Sequence, residues 1–367
     1  MGRAFGLALV VAGVVCAQGA LADCNKPTAQ AITQIGVSGN PFSAIPTPDG
    51  CTIFVSLLAQ KQSHIAVLKR DNGVISVAQT VAVEGMVGGM ALSPDGKTLA
   101  ATTGAGVTLL DTGKLLAGAD AVVAKAEDGP HAGAIYAAFS PDGRLLVVAN
   151  ERSASLSVYE AAGLKSVGLI PVAGAPVGLA FSADGTRLYS TSEVGPRTWD
   201  AKCTTEGPAH AEGVLLVIDV ARAATDPAKS VIGGVAAGCN TVRVALSPDS
   251  ATAYATARGA NAVHAFDTAK LITDPAHALK GVILVGSSPV GVAAARGKVF
   301  ATNSNRFGGG TDQTVSVLDA ANLSAPQGSI PAGGFPRELK VTADGNTLLV
   351  TNYTSGSVEL VDLARLP

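Results

Sequence analysis

A four-residue turn recurs along this chain at intervals of just under fifty residues. It reads TPDG at 47–50, SPDG at 93–96 and 140–143, SADG at 182–185, SPDS at 247–250 and TADG at 342–345. A degenerate copy, Ala295-Arg296-Gly297-Lys298, fills the one gap. With Gly297 as the stand-in, the anchors fall at 49, 95, 142, 184, 249, 297 and 344. A period of about 40–50 residues with several strands per unit predicts an all-β propeller of four-stranded antiparallel blades, here with seven. The interval from 184 to 249 is the long one and carries an insert at 193–213.

The third unit displays the pattern. A small-residue strand, AIYAAF at 134–139, enters the turn, where Pro presets φ and Asp and Gly favour a tight reversal. A β-branched and aliphatic strand follows, LLVVAN at 145–150, and then an alternating one, SLSVY at 155–159. A fourth strand, SVGLI at 166–170, leads to the next unit. The last unit stops at its third strand, 357–362, whereas residues 31–37 read as an isolated fourth strand. Pairing the two closes the ring and removes the open edges that invite aggregation.

The first 22 residues read as a leader. Arg3 gives a short basic start, residues 5–16 are apolar, and Ala20-Leu21-Ala22 offers a small-x-small cleavage site. The expectation is an exported, periplasmic or secreted monomer of one propeller domain, residues 23–367, with no membrane span. Asp23, just before Cys24, argues against a lipid anchor. Four cysteines then remain, and propeller topology sorts them. Cys24 and Cys51 fall on the face of the PDG turns, Cys203 and Cys239 on the opposite, top face. The expected disulfides are Cys24–Cys51 and Cys203–Cys239, which export permits.

Aligning the first strands on their anchors shows what lines the channel. Four residues before each anchor stand Ile45, Ala91, Ala138, Ala180, Ala245, Ala293 and Lys340. Six before stand Ser43, Gly89, Tyr136, Gly178, Arg243, Gly291 and Glu338. Positions two apart share a strand face, so Tyr136, Arg243, Glu338 and Lys340 are large polar groups in an otherwise small-residue lining. One reading is a charged site in the upper channel, with Arg243 and Lys340 holding an anion. The other is a plugged channel in which Glu338 satisfies both cations. Top-face loops add His131, Glu151, Asn303, Arg306, Arg337 and Tyr353, and the insert 193–213 with Trp199 and His210 is read either as a lid over the channel mouth or as a surface decoration. The five histidines are scattered without zinc-ligand spacing, so no metal and no cofactor is expected. The chain lacks a Gly-x-Ser-x-Gly elbow and a phosphate-cradle loop.

The segments VVAN at 147–150, FATN at 300–303 and LVTN at 349–352, each followed by a Ser/Thr-x-Ser-Val stretch, resemble the YVTN-repeat β-propellers. The lead-ins GAPVG at 174–178 and GSSPVG at 286–291 fit the same repeat. A narrower resemblance, carried by Gly129-Pro130-His131 and the AFSPDG segment at 138–143, is to lactonase-type propellers such as the 6-phosphogluconolactonases. The chain departs from that pattern at 150–155, where NERSAS replaces an Asp-containing loop.

The leading expectation is a protein that binds a small anionic ligand or a protein partner on the top face of the channel. The alternative is a lactonase-like hydrolase acting on an anionic sugar or muconate-type lactone. In that case His131 with Glu338 or Glu151 would activate water, and Arg243 and Lys340 would hold the substrate carboxylate. A net charge of −2 and an aromatic content of 4 % count against a single-stranded nucleic-acid binder.

Overall fold

The computed structural model describes residues 24, 26–195, 202–203, 210–306, 308 and 313–366. Seven antiparallel sheets follow one another along the chain. Blade 1 runs Pro41–Pro46, Thr52–Leu57, Gln62–Asp71 and Val74–Glu84, and blades 2 to 6 repeat this meander with first strands Met90–Leu92, Ala134–Phe139, Pro176–Phe181, Thr241–Leu246 and Pro289–Ala295. Blade 7 takes Pro336–Val341, Thr347–Asn352 and Ser357–Asp362 from the end of the chain and Ile32–Gly36 from its beginning. Ile32 pairs with Val361 and Gly36 with Ser357, the closure expected from the sequence. No helix among the described residues is long and apolar enough to cross a membrane.

The turns explain the repeat. In the first copy Thr47 Oγ1 donates to Asp49 Oδ1, and the same carboxylate accepts the Cys51 amide. The pattern recurs at Ser93/Asp95, Ser140/Asp142, Ser182/Asp184, Ser247/Asp249 and Thr342/Asp344. These aspartates are spent on the turn. The degenerate copy is tighter: Ala295 pairs directly with Lys298, with Arg296 and Gly297 both at positive φ as a two-residue hairpin requires.

Apolar packing is distributed between blades. Each of seven clusters joins one pair of neighbours; Phe54, Ile65 and Val67 of blade 1, for example, meet Leu99 and Leu110 of blade 2. The cluster joining blades 7 and 1 includes Leu349, Val358 and Leu360 against Ala44, Ile53 and Val55. An eighth, axial cluster holds Val177, Val242 and Val290, with Ile135 and Phe335 packed against it.

Two details set the channel. Six of the first strands slip register between the residue eight before the anchor and the next paired one, as at Pro41/Ser43, Pro176/Gly178 and Pro336/Glu338. Such a bulge turns two successive residues toward one side. A hydroxyl from the second strand staples the bulge. Ser56 Oγ accepts the Ser43 amide and donates to Gly88 O of the next blade, and Thr256 Oγ1 does the same between Arg243 N and Val290 O. Thr351 links Glu338 N to Phe42 O, closing the ring, and Thr191 donates to Val242 O. This close approach demands small residues: a Cβ on Gly178 would lie 2.8 Å from Val242 O, and one on Gly291 2.9 Å from Arg337 O.

Cys24 and Cys51 form a disulfide, as expected, tying the segment before the closing strand to the first turn. Cys239 is also disulfide-bonded. The side chain of Cys203, its expected partner, lies outside the described residues. In the insert, Lys202–Cys203 pairs with the start of the ten-residue strand His210–Asp219, so blade 4 carries a short fifth strand.

Candidate binding site in the central channel

The first strands descend from the loop-bearing face to the PDG turns, so position along them measures depth in the channel. Seven residues before the anchors stand Phe42, Gly88, Ile135, Val177, Val242, Val290 and Arg337. Ile135 and the three valines meet in the axial cluster and plug the channel near its top. One residue deeper lie Tyr136, Arg243 and Glu338, and two deeper again Lys340. Below them a cavity of about 440 Å³ opens toward the PDG turns, lined by the four polar residues with Ala138, Ala293 and Ser247 among others. An adjoining space of about 370 Å³, sharing Tyr136 and Lys340, extends under blades 1 and 2. The sequence had pointed the polar cluster toward the upper face. The plug closes that route, and the channel opens from the turn side.

The cluster is a hydrogen-bonded chain. Lys340 Nζ donates to Tyr136 Oη at 3.0 Å, and Tyr136 Oη donates to Glu338 Oε1 at 2.8 Å. The Lys340 ammonium is also 4.0 Å from that carboxylate oxygen. Arg243 stacks its guanidinium 4.6 Å above the Tyr136 ring and donates through Nη1 to Val177 O. Glu338 thus pairs with one of the two cations expected of it, and Arg243 is held by a backbone carbonyl and an aromatic face instead. Two polar atoms stay without a partner: Glu338 Oε2 and Arg243 Nε, on side chains 3 % and 5 % exposed. Burial and the Glu338 charge raise the Tyr136 pKa above the usual phenol range. Burial works against the Lys340 charge, but Tyr136 and Glu338 outweigh it and hold the ammonium above the ordinary lysine value. At neutral pH the chain therefore runs from a charged lysine through a neutral phenol.

The other sequence candidates lie elsewhere. His131 is exposed and Glu151 half-buried on the loop-bearing face, and neither lines the cavity. The proposed grouping of His131 with Glu338 is therefore not formed. Asn303 is 2 % exposed and gives its amide to Thr314 and Ser316, as Asn150 does to Ser157; the asparagine ending these second strands fastens the third. Arg337 and Tyr353 come together with Phe42 and Phe335 beside the plug. Trp199 lies outside the described residues, as does the side chain of His210. His64 and His264 sit in third strands. Among the described residues no group of three or more His, Cys, Asp or Glu side chains gathers that could hold a metal.

What sequence reasoning missed is the plug. Strict alternation counts residues six and four before the anchor as channel-facing and the seventh as turned away; the bulge brings the seventh round as well. The recurrence of Phe, Ile or Val at that position in five units is the signal that would have found it.

No family model matches the sequence, and no curated protein does. Among solved structures, a chain of hydrazine synthase from Kuenenia stuttgartiensis superposes with a TM-score of 0.68 over 89 % of this chain and 96 % of its own, at 17 % identity. At that identity the likeness shows the shared fold alone.

Proposed function

We propose that the protein is an exported binding protein whose channel cavity takes a small anionic ligand from the side of the PDG turns. One observation carries the proposal: at the blind end of a cavity of about 440 Å³, two cations and one carboxylate converge, and the carboxylate keeps an unpartnered oxygen. That volume lies within the range of small-molecule sites. Lys340, with 35 % of its side chain exposed, is the cation able to meet a ligand's carboxylate or phosphate. Glu338 Oε2 would accept a hydroxyl or amino group on the same molecule, and Tyr136 fixes the distance between the two. Arg243 contributes charge from behind, since its Nη1 is committed to Val177. A persistent disulfide at Cys24–Cys51 is consistent with an oxidising compartment after export.

The test is calorimetric titration of the mature protein with a panel of hydroxy acids, sugar acids and their lactones. Binding of at least one hydroxy or sugar acid, weakened about tenfold in Lys340→Ala, is the expected outcome. Absence of binding across the panel removes the proposal. Lactone hydrolysis lost in Tyr136→Phe or Lys340→Ala would instead make the site catalytic.

A further inference from the structure

Beside the plug, on the side away from the cavity, lies a second concentration of positive charge. We propose that Arg337 and Arg306 form a separate site there for a doubly charged oxyanion, a phosphate or dicarboxylate group.

At the level of the plug, six units place an apolar residue or glycine and the seventh places Arg337. Its guanidinium lies 3.9 Å over the Phe42 ring, 5.6 Å from Phe335 and 5.8 Å from Tyr353, and Phe335 and Tyr353 meet edge to face. Stacking engages the face of a guanidinium and leaves its N–H groups pointing outward in the plane, the arrangement that grips planar or tetrahedral oxyanions. No carboxylate of a described residue lies within ion-pair distance of Arg337 or Arg306, and Arg337 Nε is buried without a hydrogen-bond partner. Glu193, the nearby acid on this face, is already taken up by Arg258 at 2.9 Å and by Asn240 at 3.1 Å.

The electrostatics agree with the geometry. Burial first, then the charges of Arg243 and Arg306, push the Arg337 pKa down to about 9, with Glu338 only partly opposing them. Arg258 is lowered by burial and, against the opposing pull of Glu193, by the same two arginines. Arg243 and Arg306 thus bear on both Arg337 and Arg258, and a dianion seated between Arg306 and Arg337 would relieve that repulsion. Arg306 is exposed, which gives the anion its route in.

Inorganic phosphate is the probe, titrated into the mature protein by calorimetry and thermal shift against sodium chloride of matched ionic strength. Saturable binding is expected, weakened about tenfold in Arg306→Ala and unchanged in Lys340→Ala. Arg306 is exposed, so its replacement should leave the fold intact; a second variant, Arg337→Lys, keeps a charge in the aromatic cage while losing the planar fork, and it should also weaken phosphate. Succinate run in parallel separates phosphate from dicarboxylate recognition by which binds more tightly. The site is overturned if phosphate acts no differently from chloride, or if Arg306→Ala binds as the parent does. Phosphate binding lost in Lys340→Ala but kept in Arg306→Ala would place the anion in the channel cavity, defeating this proposal and supporting the other.

Discussion

The Arg243 guanidinium donates to the Val177 carbonyl oxygen at the one blade interface whose staple hydroxyl is missing. Elsewhere Ser or Thr stands at the staple position of the second strand, but blade 3 carries Ala149 there. Arg243, reaching from blade 5, bonds the bulge carbonyl that Ala149 cannot. Its scaffold role and its place beside the cavity are therefore two uses of one side chain.

That relationship predicts a compensation. Arg243→Ala should destabilise the protein by about 2–4 kcal/mol, since it strands a buried carbonyl and removes the cation over Tyr136. Adding Ala149→Ser to Arg243→Ala should restore about 1 kcal/mol by renewing the hydroxyl staple. Urea denaturation of both variants checks this. If Ala149→Ser helps no more in the Arg243→Ala background than in the parent, Arg243 is not acting as the staple.

Tyr136→Phe separates the two members of the polar chain. The hydroxyl that donates to Glu338 and accepts from Lys340 disappears, and a stability loss of about 1–3 kcal/mol follows from the two broken charge-assisted bonds. A variant as stable as the parent in urea would mean that the chain is not formed.

Acid should weaken the fold in two separate windows. Burial lowers His264 from 6.5 to about 4. The unfolded ring takes its proton near pH 6.5 while the folded one resists until about 4, so this stability is complete above the first value and lost as pH falls toward the second. The expected loss is about 2 kcal/mol after allowance for partial exposure, and His264→Phe should flatten the dependence between those limits. The turn carboxylates act lower. Asp142, held at about 2 by Ser140 and the Arg144 amide, contributes above its unfolded value and loses that contribution as pH falls through 2. Thermal melts across pH 7 to 2 in both proteins distinguish the windows.

Reduction of Cys24–Cys51 should cost roughly 3.5 kcal/mol, the chain-entropy value for a loop closed across 27 residues. Unfolding midpoints of Cys24→Ser/Cys51→Ser that equal those of the oxidised parent would show the bridge to be idle.

Much of this was legible in the sequence, for reasons the structure explains. The turn period could be read because each copy needs the same Ser/Thr-x-Asp hydrogen bonds, and residues 31–37 stood out because a lone strand pattern lay beyond the first repeat. Tyr136, Arg243, Glu338 and Lys340 stood out because neighbouring blades crowd that face and leave little room for side chains. The direction in which the channel opens could not be read, because alternation is blind to a bulge. Phe42, Val242 and Arg337 look outward-facing until Ser56, Thr256 and Thr351 are seen fastening the bend. The displacement of His131 from Glu338 was equally hidden, since it depends on how far the loop-bearing face stands above the plug.

Blade 7 is assembled from strands more than three hundred residues apart, Gly36 pairing with Ser357. A chain interrupted anywhere before the final strands therefore leaves its own beginning without a partner, however well the middle blades have packed. Closure thus makes the first strand depend on the last: a chain lacking 357–362 would display that defect at an exposed edge.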